Sequence, residues 1–195
     1  MKNKNGIANL ALRLIVITVC AGLILGLVYG VTKEPIEQQT IKKETEARML
    51  VLPEAQEFEE VDPASFQADM DRYAIIRQVY RGLADGQTVG YTMAILTKGF
   101  SANLNLTVGI SADGVVTGVT IGSHEETPGL GANATDPEFL GQYEGTDGPL
   151  AVVKTPTGQT GEIQALTGAT ITSRGVTDAV NLAREFFEEY LKEGV

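Results

Sequence analysis

Along the chain the spacing of apolar residues changes character several times, and each change predicts a different kind of element. Leu14 to Val31 reads LIVITVCAGLILGLVYGV, 18 residues without a charge, and apart from Arg13 the uncharged run reaches back to Gly6. A helix over 10–31 rises roughly 33 Å at about 1.5 Å per residue, enough for a hydrocarbon core of about 30 Å, with Arg13 placed to snorkel toward the headgroups. From Lys33 to Leu52 the pattern turns amphipathic, with Ile36, Thr40, Ile41 and Ala47 at helical spacing between charges. It predicts a helical stalk that stops before Pro53. Pro53 to Asp71 is acidic and reads as irregular.

Period two then takes over. Tyr73–Tyr80 and Thr88–Leu96 read as strands joined by a turn at Asp85-Gly86, with Val89, Tyr91, Met93 and Ile95 sharing one face. Leu104, Leu106, Val108 and Ile110 alternate with Asn105, Thr107 and Gly109, which predicts a half-buried strand. A hairpin at Asp113-Gly114 returns the chain through Val115–Ile121. Ser123 to Gly161 is rich in Gly, Pro, Asp and Thr and reads as long loops, with one short helix over Pro137–Tyr143 and one short strand over Leu150–Lys154. Period 3.6 closes the chain. Val176, Ala179, Val180, Ala183, Phe186, Phe187, Tyr190 and Leu191 form one apolar stripe of a helix over about 174–192, with Thr172 or Ser173 expected as its N-cap. The sum is an α+β chain: a single N-terminal transmembrane helix, then a twisted antiparallel sheet packed against helices. The expected divisions are 1–9, 10–31 (membrane), 32–70 (stalk and connector) and 71–195 (domain). There is no internal repeat and no low-complexity tract.

Charge adds topology. Lys2, Lys4 and Arg13 precede the first acid, Glu34, while the whole chain carries a formal net charge of -10 and a pI near 4.6. The positive-inside bias therefore puts the N-terminus in the cytoplasm and the acidic body outside it, against membrane lipid on the way. A cleaved signal peptide is the competing reading, but the apolar run is long for a signal core and only Val28-Tyr29-Gly30 resembles a cleavage site. An acidic surface argues against nucleic acid, whose binding rests on Lys and Arg neutralising phosphates. The one cysteine, Cys20, lies in the apolar run and the one histidine, His124, reads as a surface or loop residue. The body thus has no internal disulfide, and no metal site of the usual nitrogen and sulfur type is expected.

One segment invites chemistry. TGATITS, Thr167 to Ser173, sets four hydroxyls around Gly168 and Ala169 just before the C-terminal helix. Small residues let backbone N–H groups approach an anion, a helix N-terminus favours a phosphate, and a hydroxyl there can take a phosphoester. Read from the residues alone, it is more simply a polar turn followed by a serine or threonine cap.

Thr167 to Thr170, TGAT, resembles the S/T-G-A-T flavinylation motif of the FMN-binding domain. That domain is found in the G subunit of Rnf-type electron-transport complexes and in the C subunit of the sodium-translocating NADH:quinone reductase. HEETPGLGA, His124 to Ala132, is similar to the E-T-P-G-L-G signature of the same two proteins, and TKEPIEQQ, Thr32 to Gln39, resembles the start of the G subunit. The resemblance covers nearly the whole chain. It implies FMN bound covalently through its phosphate at Thr170, with Thr172 as fallback acceptor, installed by a flavin transferase from FAD. It further implies that Thr167, Gly168, Ala169, Thr172, Ser173, Glu126, Thr127, Gly129, Leu130 and Gly131 surround the cofactor, with no catalytic side chain of the protein's own. Gln164 stands where the family usually has Asp, a residue tied to recognition by the transferase. The function implied is electron transfer within an ion-translocating ferredoxin:NAD oxidoreductase of the cell membrane. The chain would be a redox subunit, incomplete alone, beside polytopic and iron-sulfur partners. The C subunit of the NADH:quinone reductase and a non-redox membrane-anchored binding or assembly module are the alternatives.

Overall fold

The computed structural model describes residues 4–62, 72–101 and 103–192. The chain divides into two units, Met1–Thr45 and Glu46–Val195. Helix α1, Lys4–Val51, is 48 residues long and takes in both the apolar run and the expected stalk. Pro35 lies inside it, where the missing N–H leaves one backbone carbonyl without its helical donor. Between Asn9 and Val51 this helix is long and apolar enough to cross a membrane, and its most apolar stretch has no surface buried against protein. Its Leu10, Leu25 and Leu27 are each about 70% exposed, apolar surface of the kind a membrane-spanning helix turns to lipid.

In the unit from Glu46 onward, five strands form an antiparallel meander in the order β1 (Glu57–Val61), β2 (Ile76–Ala84), β3 (Gln87–Lys98), β4 (Asn103–Ser111) and β5 (Val116–His124). Asp85 and Gly86 both take positive φ, 51° and 76°, which gives the β2–β3 hairpin the turn whose twist matches its strands. Two expectations are corrected here. Glu57–Val61 is no irregular connector but an edge strand, registered with Leu83 back to Val79. Three glutamates hid it, and Phe58 and Val61 fall on opposite faces, so no period-two stripe marks it. His124 is the last residue of β5, half-buried opposite Leu104. The rest of the 53–71 segment beyond Asp62 lies outside the described residues.

The front of the sheet carries Val79, Tyr91, Met93, Ile95, Leu106, Val108 and Ile110, all at most 2% exposed. Helix α3, Thr170–Phe186, covers it with Val176, Ala179, Val180, Ala183 and Phe186, and a π-helical turn, Phe187–Leu191, continues the stripe. Each such large side chain contributes about 1.5–3 kcal/mol by leaving water. Tyr73 ties the start of the sheet to this helix end: its hydroxyl donates to Glu189 at 2.7 Å and its ring meets Phe186 edge-on at 5.1 Å.

The back of the sheet is built differently. Two glycine pairs open this face, Gly82 opposite Gly90 on β2 and β3 and Gly109 opposite Gly118 on β4 and β5, offset from each other by two residues between β3 and β4. Val51 and Leu52, 1% exposed each, fill the track these glycines leave. A Cβ on Gly82 would stand 2.9 Å from that of Ala55, and one on Gly109 would strike the Val51 carbonyl oxygen. The Thr117 hydroxyl donates to that same carbonyl, and the Arg48 guanidinium lies 3.6 Å from the centre of the Tyr80 ring. The face that alternation alone assigns to solvent is thus covered over its middle.

The loops after β5 hold a 3-10 turn (Gly131–Thr135), helix α2 (Pro137–Leu140) running into a second 3-10 turn (Gly141–Tyr143), and a two-stranded parallel sheet of β6 (Ala151–Val153) and β7 (Glu162–Gln164). The short helix and first short strand are where the pattern put them. The 3-10 turn and β7 are additional, each too short for a periodic signal.

The atom nearest to Gly109 is the Val51 carbonyl oxygen, a backbone atom that cannot swing away as a side chain could. Gly109→Ala is therefore expected to lower stability by about 1–3 kcal/mol, the usual cost of overpacking, read as the denaturant midpoint of the detergent-solubilised protein.

Candidate functional site

The first intrahelical bond of α3 runs from Ser173 N–H to the Ala169 carbonyl, so the helix starts at Thr170 and Ala169 is its N-cap, without a side-chain cap. This corrects the expected start near Arg174 with a Thr172 or Ser173 cap. Both hydroxyls have other partners. Ser173 is fully buried; its hydroxyl accepts the Leu166 N–H at 3.0 Å and donates to the Ala169 carbonyl at 3.0 Å. That staples the two ends of the turn Leu166–Ala169, which is also closed by Ala169 N–H to the Leu166 carbonyl. Gly168 takes φ +77° inside this turn, a conformation that a β-branched residue strongly disfavours.

A buried chain of hydroxyls backs the staple. Thr177 donates to the Ser173 carbonyl at 2.9 Å, so it is left to accept from the Tyr143 hydroxyl, also at 2.9 Å. Burial pushes the Tyr143 phenol well above its ordinary pKa, which keeps it a neutral donor.

The other wall comes from His124–Ala132. The Thr127 carbonyl accepts the N–H groups of both Leu130 and Ala132, at 3.1 and 3.2 Å, folding Thr127–Gly131 into a turn with Gly129 at φ +76°. Leu130 is left 44% exposed, and its side chain lies 2.9 Å from where a Cβ on Gly168 would sit. Glu126 joins the walls. It is 6% exposed; one carboxylate oxygen accepts the Ser101 N–H at 3.0 Å and the other accepts the Thr172 hydroxyl at 2.9 Å. Cβ atoms on Gly99 or Gly131 would collide with this carboxylate. The third wall is the loop after β3. It is held against α3 by the Thr97 hydroxyl donating to the Gly175 carbonyl at 3.1 Å, and by an approach so close that a Cβ on Gly175 would strike the Lys98 carbonyl oxygen.

These walls enclose a cavity of about 290 Å³. Of the residues singled out in the sequence, Glu126, Thr127, Leu130, Gly131, Gly168, Ala169, Thr170 and Thr172 line it. Thr167, Ser173 and Gly129 do not; they shape the turns behind it. Phe100 and Ile171 also line it, 70% and 55% exposed, and sequence reasoning missed both. The available signals were an aromatic residue in a Gly/Ser loop and an isoleucine out of phase with the helix stripe. Thr170 is half-buried at the cavity wall, and its hydroxyl makes no hydrogen bond among the described residues. Behind it the amides of Thr170, Ile171 and Thr172 precede the first intrahelical bond and carry the positive end of the helix dipole. A pocket with an anion-favouring floor and a large apolar rim fits a flat aromatic ring system carrying a phosphate.

Residues 99–185 match the FMN-binding domain family, a span holding all three walls. The G subunit of the Na(+)-translocating ferredoxin:NAD(+) oxidoreductase complex of Acetobacterium woodii is 38% identical over 194 residues, covering 94% of this chain and 93% of its own. The G subunit of the ion-translocating oxidoreductase complex of Methanosarcina acetivorans is 32% identical, covering 95% of this chain and 97% of its own. Among solved structures, the C subunit of the Na(+)-translocating NADH-quinone reductase from Parabacteroides distasonis shares the fold at TM-score 0.57 and 22% identity, over 80% of this chain and 94% of that one. NqrC of Shewanella oneidensis aligns at TM-score 0.51 and 25% identity, over 75% and 72%. The fold and site thus define a domain of the FMN-binding class. Within it, this chain belongs to the family of the G subunits of ion-translocating oxidoreductase complexes.

Ser173→Ala removes both bonds of the staple at once. The expected loss is about 1–3 kcal/mol, the range for leaving a hydrogen-bonding partner unpaired, together with faster amide exchange at Ala169.

Proposed function

We propose that this chain is the membrane-anchored electron-transfer subunit of an ion-translocating ferredoxin:NAD oxidoreductase complex, carrying one FMN joined through its phosphate to Thr170. The observation that carries the reading is the placement of Thr170: a hydroxyl without a hydrogen bond among the described residues, at the first residue of α3 and on the wall of the cavity. A phosphate esterified there meets the orphan amides of Thr170–Thr172, and each favourable charge at such a helix end is worth about 0.3–1 kcal/mol. Phe100, Leu130 and Ile171 offer the apolar surface that an isoalloxazine ring needs, and the FMN, when bound, supplies the electron-accepting chemistry that no side chain here provides.

Attachment from FAD balances simply. The Thr170 oxygen forms a bond to the FMN phosphorus, the pyrophosphate linkage breaks, AMP leaves, and the hydroxyl proton is released. A flavin transferase recognises the turn. Gln164, exposed at the end of β7, stands on the surface such an enzyme approaches. Covalent tethering suits a domain outside the cytoplasm, where a dissociated flavin is lost. Lys2, Lys4 and Arg13 orient the anchor so that the domain stands there, beside polytopic and iron-sulfur subunits of the complex.

Made together with a flavin transferase and denatured, the protein is expected to fluoresce under ultraviolet light in a gel. Thr170→Val should abolish that signal, and normal fluorescence in that variant would refute the assignment. Gly168→Val should also lose most of it while keeping its circular dichroism, because Gly168 is exposed and outside the core but cannot keep φ +77° as valine. In intact cells stripped of any outer wall barrier, a membrane-impermeant reagent should label Lys154 and Lys192. Protection of both lysines until the membrane is permeabilised would overturn the orientation.

A further inference from the structure

Three threonines and a serine crowd the acceptor turn, and the geometry treats them differently. Thr167 is exposed but lies off the cavity, in the turn before the helix. Ser173 is fully buried, with its hydroxyl both donating and accepting within the staple. Thr170 and Thr172 both line the cavity, two residues apart at the same helix end. What separates them is Glu126. Thr172 has no exposed surface, and its hydroxyl proton is committed to the Glu126 carboxylate at 2.9 Å. That carboxylate is seated in turn by the Ser101 N–H, and by Gly99 and Gly131, neither of which has room for a Cβ beside it. The seat is therefore built around a carboxylate, and it delivers one oxygen to one threonine.

We propose that Glu126 is the residue that fixes the choice of acceptor, by occupying both the hydroxyl of Thr172 and the space through which a flavin phosphate would reach it. The inference rests on flavinylation of this turn and adds that Thr172 is a competent acceptor held out of use. Its hydroxyl stands at the same positive helix end as that of Thr170, so the electrostatics favouring a phosphate serve both. Charge therefore does not select between them; access does. Truncating Glu126 enlarges the cavity beside the Thr172 oxygen and frees its proton. The reaction then has the same balance at either hydroxyl: the threonine oxygen takes the FMN phosphoryl group from FAD, AMP departs and one proton is released.

The test is co-expression with a flavin transferase, followed by peptide mapping of the flavin. In Glu126→Ala the label should divide between Thr170 and Thr172, and in Thr170→Val with Glu126→Ala it should move to Thr172. Adding Thr172→Val to that pair should remove it. Glu126→Asp, which keeps the charge but draws the carboxylate back by one methylene, should also release Thr172. Glu126→Gln fills the same space but accepts through only one of its two atoms, so it should admit less label at Thr172 than Glu126→Ala does. Label confined to Thr170 in both Glu126→Ala and Glu126→Asp would overturn the proposal, as would as much label on Thr172 in Glu126→Gln as in Glu126→Ala. So would loss of all label in Glu126→Ala, which would make Glu126 a requirement of the turn and not a selector. An unlabelled wild-type chain would instead refute flavinylation itself.

Discussion

The site depends on one close contact. At Gly175 helix α3 comes so near the end of β3 that the Lys98 carbonyl occupies the place of a side chain, and the Thr97 hydroxyl binds the Gly175 carbonyl beside it. Any residue with a Cβ would hold the helix off the sheet. With glycine there, the first turn of α3 is set against the Gly99–Ser101 loop, and the gap left between them is the cavity. Glu126 spans that gap because its two partners, Ser101 and Thr172, belong to the two elements that Gly175 brings together.

The turn is held in place before any cofactor is considered. Its ends are stapled by Ser173, Ser173 is backed by Thr177 and Tyr143, and Gly168 supplies the one backbone conformation an ordinary residue resists. Such preorganisation lowers the ordering cost of binding and leaves more of the interaction energy available. On the proposed flavinylation, it also presents Thr170 in one conformation to a transferase and to the pocket. The glycine track on the other face of the sheet performs a similar office for Val51 and Leu52, seating a chain segment where side chains would have excluded it.

Much of this was legible in the residues. Alternation over Leu104–Ile110 and the stripe from Val176 to Leu191 are strong periodic signals, and the structure buries those side chains together. TGATITS announced hydroxyls at a helix start. Single-sequence reasoning failed where a residue's partner is far along the chain. Nothing local to Thr172 or Ser173 distinguishes a cap from a hydroxyl bound to Glu126 or Leu166. Glu126 read as a residue reaching toward a ligand; it does line the cavity, but its bonds to Ser101 and Thr172 join segments no local pattern links. Phe100 and Ile171 were missed because an exposed apolar residue is unremarkable until the fold sets several around one cavity. The edge strand Glu57–Val61 was missed because its outward charges outweigh its half-buried Phe58 and Val61.

The central claim is that Thr170 presents its hydroxyl to a preformed phosphate site. Cleavage after Lys154 and Arg174 isolates residues 155–174, which contain every candidate acceptor of the turn. Tandem mass spectrometry of that peptide, from protein matured with a flavin transferase, measures the claim directly. The account predicts an increment of one FMN less a water, with fragment ions placing it on Thr170. An unmodified peptide, or an increment on Thr167 with Thr170 bare, would contradict it.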